Sequence, residues 1–189
     1  MGKYDDIALP VKGQRISSGA FGIKVVNAIK DLDARVSAYD TSTGTGKAYS
    51  TSNLALSTTT ETTALTITGM VFKAGLAYEA TIRMGVSGTS GNLCLTHVRK
   101  YNATPANGAD WGEYFRFRAE PSPAAAIGTL YLINNTAADI TSDVNLTVSS
   151  NVAASNAITC FATTASPRFF VIKPAGFAAD YVGMGVQVS

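Results

Sequence analysis

The chain has 189 residues, of which 46% are hydrophobic and only 15% are charged. This length suits one main domain with an appendage, and the small charged fraction indicates a folded protein with a surface rich in Ser, Thr and Asn. The net charge of +2 comes from scattered Lys and Arg side chains. The sequence therefore lacks the basic stripe that is typical of nucleic-acid-binding proteins, and we expect no nucleic-acid partner.

The first ten residues contain acidic side chains and a proline, and they lack the apolar core of a signal peptide. The sequence has no run of about 18 apolar residues, the length that a membrane-spanning helix requires. We therefore expect a protein that is made and folded in a cytoplasm and has no membrane partner.

The N-terminal 40 residues differ in pattern from everything that follows them. Residues 2–15 contain Pro10 and Gly13 and show no sustained period, which predicts an extended arm that is ordered only against another surface. Residues 16–40 form the only long segment with a helical apolar period. Its apolar side chains recur at spacings of four, three, four and three, the heptad step of a helix seam: Val25, Ile29, Leu32, Val36 and Tyr39.

Two roles for this helix fit the spacing equally well. In the heptad register, Arg35 and Asp40 take g and e positions, where they can pair across neighbouring helices of a parallel bundle. An amphipathic helix that lies on its own β domain would need much the same apolar stripe. The pattern therefore predicts either an oligomerisation and anchoring helix or a helix docked on its own chain.

The rest of the chain has the pattern of a β domain. Residues 41–60 are rich in Thr, Ser and Gly, which predicts a linker, although Leu54 and Leu56 can begin a short strand. From residue 61 onward the apolar period changes to two. About eight to ten short strands separated by Gly, Pro, Asn and Ser turns predict an antiparallel β-sandwich of the jelly-roll type over residues 61–189.

Three of these strands carry distinct expectations. The clearest alternation runs from Leu76 to Val86, with every second side chain apolar. Residues 127–133 are apolar at successive positions, which predicts a strand buried on both faces. Residues 181–188 predict a last strand with one apolar face, formed by Val182, Met184, Val186 and Val188.

The residue types that catalysis and metal binding require are sparse. His97 is the only histidine and lies on a predicted strand with no carboxylate near it in sequence. The acidic side chains after residue 60 form no sequence cluster, so we expect them at solvated positions. We therefore predict a protein that is not an enzyme and has no catalytic, cofactor or metal site.

The two cysteines, Cys94 and Cys160, each lie inside an apolar strand-like run. They do not have the spacing of metal ligands. Two buried free thiols and a disulfide between them are both compatible with the sequence.

The segment Trp111 to Arg118 is the strongest candidate for a ligand surface. An indole, a phenol and two guanidinium groups can stack on sugars or pair with phosphates. Alternation would place Tyr114, Arg116 and Arg118 on one face of this strand, with Phe115 and Phe117 on the other. The alternative is a structural strand, with Phe115 and Phe117 in the core and the arginines in solvent.

The order of these segments resembles virion structural proteins of tailed phages, particularly those of actinobacterial hosts. The resemblance is strongest over residues 10–40, which end the arm and contain the run GQRISSGAFGIKVVNAIKDLDARVSAYD. The pattern of this segment is similar to the N-terminal helices of minor tail and capsid-decoration proteins. The run PRFFVI at residues 167–172, followed by a Pro/Gly turn, resembles the closing strand of such domains.

The resemblance implies a homotrimer that is attached to the major capsid protein or another virion protein through its N-terminal part. The chain lacks a collagen-like repeat and a second fibre domain, so its shortness favours a capsid decoration or head-fibre protein over a minor tail fibre that recognises host surface glycan. The spacing itself does not predict a trimer, since β-branched residues at a with Leu at d favour dimers.

Overall fold

The computed structural model describes residues 27–32, 44–154 and 157–189, with the side chain of Tyr114 left out. The chain divides into two compact units, Met1–Ser42 and Thr43–Ser189. In the first unit, residues 27–32 form a short helix, α1, inside the segment predicted to be helical. The predicted arm and the remainder of the predicted helix lie outside the described residues. Of the helices that the structure describes, none is long and apolar enough to cross a membrane.

The second unit is mainly β-structure. Short 3-10 helices occur at Pro105–Asn107 and Ala178–Tyr181. The strands are β1 (Gly46–Ser50), β2 (Leu54–Leu56), β3 (Thr62–Phe72), β4 (Leu76–Gly88), β5 (Leu93–Lys100), β6 (Asp110–Arg118), β7 (Ala124–Asn134), β8 (Ile140–Ser150), β9 (Ile158–Phe161), β10 (Arg168–Phe177) and β11 (Val186–Gln187).

The strands form two sheets. Sheet A has the order β1-β10-β4-β7-β11, and β9 pairs with both β2 and β4. Strand β10 pairs with β4 at residues 76–83 and β9 pairs with it at residues 85–88, so β9 and β10 follow one another along one side of β4. Sheet B has the order β3-β8-β5-β6. All pairs are antiparallel except β11 with β7.

This strand order is that of a jelly roll. If β1 with β2 and β9 with β10 each count as one interrupted strand, the chain visits the sheets in the order A, B, A, B, B, A, B, A. Among the described residues, the hairpin β5–β6 and the link from β10 to β11 stay within one sheet, and the other connections cross between the sheets. The predicted mainly β fold, an antiparallel sandwich preceded by a helix, is confirmed.

The core lies between the inner faces of the two sheets. The alternation predicted for β4 is confirmed, since Leu76, Tyr78, Ala80, Ile82, Met84 and Val86 are all buried. Opposite them, sheet B contributes apolar side chains that include Val144, Leu146 and Val148. Burial of this continuous apolar surface is the main contribution to the free energy of folding.

The segment predicted as a linker contains two strands. Strand β1 pairs with β10 and strand β2 pairs with β9, so the sandwich includes residues well before residue 61. The glycines there serve close packing, since a Cβ atom on Gly46 would overlap Ile67 and one on Gly44 would lie 2.6 Å from the ring of Tyr78. Thr and Ser are also compatible with extended backbone at a sheet edge.

Two strand predictions need correction. Strand β7 is buried on both faces only at its end, where Leu132 and Ile133 are both buried, whereas Ile127 is 67% exposed on the outside of sheet A. The predicted last strand is reduced to β11, and Val182 and Met184 are exposed. Gly183 has a φ of 78°, and Met184 N–H donates to the carbonyl of Tyr181, so the chain turns where the apolar alternation predicted a strand.

Candidate functional site

The structure describes two of the five predicted seam residues, and both are exposed. Ile29 and Leu32 lie on helix α1, and each exposes 60% of its surface. Their spacing of three residues places them on one side of the helix. The remaining residues predicted for oligomerisation and anchoring lie outside the described residues: Val25, Arg35, Val36, Tyr39 and Asp40.

Trp111, predicted as part of an exposed ligand surface, lies in the core instead. The indole is 1% exposed and meets the ring of Phe72 edge to face, with the ring centroids 5.5 Å apart. The pairing of β5 with β6 shifts register on both sides of His97, and Gly112 has a φ of 132°. These irregularities interrupt the regular alternation of β6. Trp111 nevertheless lies on the core side of the strand, the face on which simple alternation also places Phe115 and Phe117.

The arginines of β6 are on the surface, as both interpretations of this strand predicted. Arg116 donates two hydrogen bonds to Glu113, at 2.5 and 3.1 Å, and this contact lowers the pKa of the Glu113 carboxyl. Arg118 lies 3.7 Å from Glu120. Phe115 and Phe117 are partly buried against the core, as the structural interpretation predicted.

A second group of polar side chains lies on the outer face of sheet B. Arg99 of β5 donates to both carboxylate oxygens of Glu61, each at 2.6 Å, and Thr147 of β8 donates to the same carboxylate at 2.8 Å. Burial alone would raise the pKa of Glu61, but the hydrogen bonds from Arg99 and Thr147 outweigh it and lower that pKa. The Glu61 carboxylate is therefore held in its ionised form.

This polar group extends to the single histidine. The Nδ1 atom of His97 lies 3.1 Å from an oxygen of Asp110, and Arg99 reaches the same carboxylate at 3.5 Å. This group was not predicted, because the scattered acidic residues indicated solvated positions for Glu61 and Asp110 and no carboxylate lies near His97 in sequence. The available signal was the spacing of His97 and Arg99, which places both side chains on one face of a strand.

The contacts of this polar group are suited to holding neighbouring strands together. It joins the start of β3, the β5 strand and the β8 strand, and Arg99 also donates to the carbonyl of Gly108 in the loop before β6. Both oxygens of Glu61 are engaged by a cation, which does not suit a general acid. Within residues 27–32, 44–154 and 157–189, no group of three or more His, Cys, Asp and Glu side chains could hold a metal ion.

The outer face of sheet A carries an exposed row with apolar and aromatic side chains. Tyr49, Phe169, Arg83 and Ile127 are directly opposite one another on four adjacent strands. Tyr49 is 73% exposed. Nothing in the sequence pattern of the single strands indicated this row, because it exists only through the pairing of β1, β10, β4 and β7.

A shallow cavity of about 250 Å³ lies next to this row. Gly85 has no side chain to fill it, and Arg83 and Phe161 border it, together with Pro123, Ala125 and Ser166. An aromatic ring beside a guanidinium group can bind a small ligand that has an apolar face and a negative charge. This cavity is therefore the second candidate site of the chain.

The architecture defines a jelly-roll β-sandwich protein. No protein-family model and no curated protein matches the sequence. A solved structure of the T13 IBDV viral particle is similar to 71% of this chain, with 7% identity and a TM-score of 0.44, and the match spans 36% of the viral chain. A structure described under carbohydrate-binding module CBM4 matches 72% of this chain and 98% of its own, with 11% identity and a TM-score of 0.35. Similarity at this level carries no argument about function.

Proposed function

We propose that the protein is a non-enzymatic structural component of a phage virion, of the capsid-decoration or head-fibre type. Its N-terminal part anchors it to the major capsid protein or to another virion protein, and three copies display their β-sandwiches outward. The resemblance over residues 10–40 and 167–172 supports the virion location. The second of these segments contributes to β10, which lies inside sheet A between β1 and β4.

The observation that carries this proposal is the exposure of Ile29 and Leu32. Full burial of one such aliphatic side chain contributes about 1.5–3 kcal/mol relative to leaving it in water. Two of them on one side of a helix favour association with a matching apolar surface. The heptad spacing of the predicted seam supports another copy of the same helix as that surface, and the resemblance supports three copies in total.

The non-enzymatic part of the proposal is supported by the polar group around Glu61. Glu61, Arg99 and Thr147 satisfy one another by hydrogen bonds, and His97 lies against Asp110. Side chains that are hydrogen-bonded to one another in this way hold strands in place, whereas a catalytic side chain must be directed toward a substrate.

The test is a pair of double variants on helix α1. Ile29→Gln with Leu32→Gln should reduce the trimer to monomers and lower incorporation into particles at least tenfold, because both changes remove apolar surface from the seam. Mass measured by light scattering gives the oligomeric state, and the protein content of purified particles gives incorporation. Imaging of labelled particles then distinguishes the head from the tail.

The matched control is Asn27→Gln with Lys30→Gln, which changes two exposed polar residues of the same helix. The control should remain trimeric and incorporate normally. If the apolar double variant also remains trimeric and reaches the particle in wild-type amounts, the anchoring proposal is wrong.

A second candidate function is recognition of a host surface glycan. The sequence analysis placed such a surface at Trp111 to Arg118, but the burial of Trp111 removes its main stacking group. The cavity bordered by Arg83 and Phe161 favours a glycan with carboxylate groups, because the guanidinium can pair with a carboxylate while the ring contacts the apolar face of a sugar.

Binding to polygalacturonate, with neutral dextran as the control polymer, tests this candidate. Arg83→Gln should weaken binding of polygalacturonate about tenfold, since it removes one charge-assisted contact. Arg116→Gln is the matched variant on the originally predicted surface and should bind like wild type. Loss of binding only in Arg116→Gln would show that the glycan binds at β6 and not at the cavity. Equal binding of the wild type, Arg83→Gln and Arg116→Gln would exclude both surfaces.

A further inference from the structure

The two cysteines meet across the core of the sandwich. Cys94 is on β5 of sheet B and Cys160 is on β9 of sheet A, and their Sγ atoms are 3.9 Å apart. Both residues are free and completely buried. The two thiols are therefore neighbours in space although 66 positions separate them in sequence.

The chain brings the two sheets together at this end of the sandwich. Cys160 pairs with Val86 near the end of β4, and β5 begins at Leu93 after a short turn. Within this turn, Thr89 N–H donates to the carbonyl of Ala157, just before β9. This crossing holds the strands of the two cysteines close to each other.

We propose that Cys94 and Cys160 form a disulfide that ties sheet A to sheet B when the protein meets hydrogen peroxide. The sulfur atoms must approach from 3.9 Å to a bond length of about 2 Å. Rotation of the two side chains and a small movement of the strand ends supply this approach. The cross-link joins side chains of the two sheets directly, and no disulfide does so while both cysteines are free.

The reaction is balanced with peroxide as the oxidant. The Cys160 thiolate attacks one peroxide oxygen, the O–O bond breaks, and hydroxide leaves and takes up a proton to become water. The Cys94 sulfur then attacks the sulfur of the Cys160 sulfenic acid, so that the S–S bond forms and the S–O bond breaks. The released hydroxide takes the Cys94 proton. The two thiols lose two hydrogen atoms in total, and peroxide is reduced to two water molecules.

The surroundings of Cys160 favour it as the attacking sulfur. The buried guanidinium of Arg168 donates to the backbone carbonyl of Cys160 at 3.1 Å, which places a positive charge near this residue. The contact between the two sulfur atoms lowers the pKa of the Cys160 thiol, and the charge of Arg168 lowers it further against the opposing effect of burial.

The experiment compares the intact protein before and after incubation with dilute hydrogen peroxide, by mass spectrometry and by peptide mapping without reduction. We expect a peptide that joins Cys94 to Cys160 and lacks two hydrogen atoms. Oxidation of any methionine adds an oxygen atom instead, so mapping separates the two products. The melting temperature should rise by about 10 °C, because the cross-link restricts the unfolded chain, and a thiol reductant should reverse the rise.

The single variants Cys94→Ala and Cys160→Ala are the matched controls. Each should lack the joined peptide and the reversible rise in melting temperature. Cysteines that remain thiols after prolonged incubation, cysteines that only gain oxygen, or cross-links between different molecules would each overturn the proposal. These readouts involve no particle and no glycan, so they are independent of the proposed function.

Discussion

At the scale of single residues, the ion pair between Glu61 and Arg99 shows how burial determines what a charged side chain contributes to the stability of the fold. The side chains of Arg99 and Glu61 are 10% and 15% exposed. Hydrogen bonds to charged groups that are partly buried contribute more than those in solvent, because water competes less for the same atoms. Glu113 and Arg116 form a chemically similar pair on the exposed part of β6, where screening reduces the contribution.

This contrast leads to a prediction for Glu61→Gln. The substitution removes the carboxylate to which the buried Arg99 donates two hydrogen bonds and leaves Asp110, 3.5 Å away, as its counterion, so the free energy of unfolding at pH 7 should fall by about 2–3 kcal/mol. Chemical denaturation followed by fluorescence measures the loss. Glu113→Gln is the matched control, and we expect a loss of less than about 1 kcal/mol. Equal losses in the two variants would contradict this account.

The same pair makes stability depend on acid. The pKa of Glu61 is lower in the folded protein than its ordinary value of 4.5. A carboxyl of this kind contributes its full stabilisation above the unfolded-state pKa, and the contribution is lost as the pH falls below 4.5 through the lower folded-state pKa. In that pH window, the stability of Glu61→Gln should change less steeply than that of the wild type.

At the scale of elements, the strands with a regular apolar period could be predicted and the irregular ones could not. Strand β4 alternates along its length because one face of it lies on the core. In β3 the pairing with β8 shifts between Ile67 and Met70, at a point where Gly69 has a φ of 63°. A bulge of this kind changes which side chains face inward, and its position depends on the partner strand.

Strand β6 and the segment before β3 are two further cases in which the sequence of one segment did not predict its environment. The burial of Trp111 depends on the register between β5 and β6. Strand β1 forms because β10 offers it an unpaired edge, although its own sequence has the composition of a linker. Strand β10 is far from β1 in sequence, and the register shifts between the neighbouring strands β5 and β6 do not show in local composition. Local composition alone therefore predicted the wrong environment for both segments.

At the scale of the whole molecule, the core and both sheets lie within residues 44–189. We therefore predict that deletion of residues 1–42 leaves a folded domain. Its circular dichroism should keep the β signal, and its melting temperature should stay within a few degrees of that of the full chain, since no core contact among the described residues is removed.

The oligomeric state of the truncated domain makes this prediction more informative. If the N-terminal seam holds the trimer, the truncated domain should be monomeric at micromolar concentration by light scattering. A truncated domain that remains trimeric would place the contacts between copies on the sandwich itself, and one that unfolds would show that residues 1–42 contribute to the core.

The sequence by itself determined the fold class, because alternation with a period of two and frequent turn residues leave an antiparallel sandwich as the way to bury the apolar faces. It also determined that one face of the strand from residue 76 to residue 86 lies on the core. Only the tertiary structure decided the jelly-roll order, the burial of Trp111, the bracing of Glu61 by Arg99, and the contact between Cys94 and Cys160. The physical reason is that each of these depends on which distant strands pair and in what register, whereas periodicity reports only the two faces of one strand.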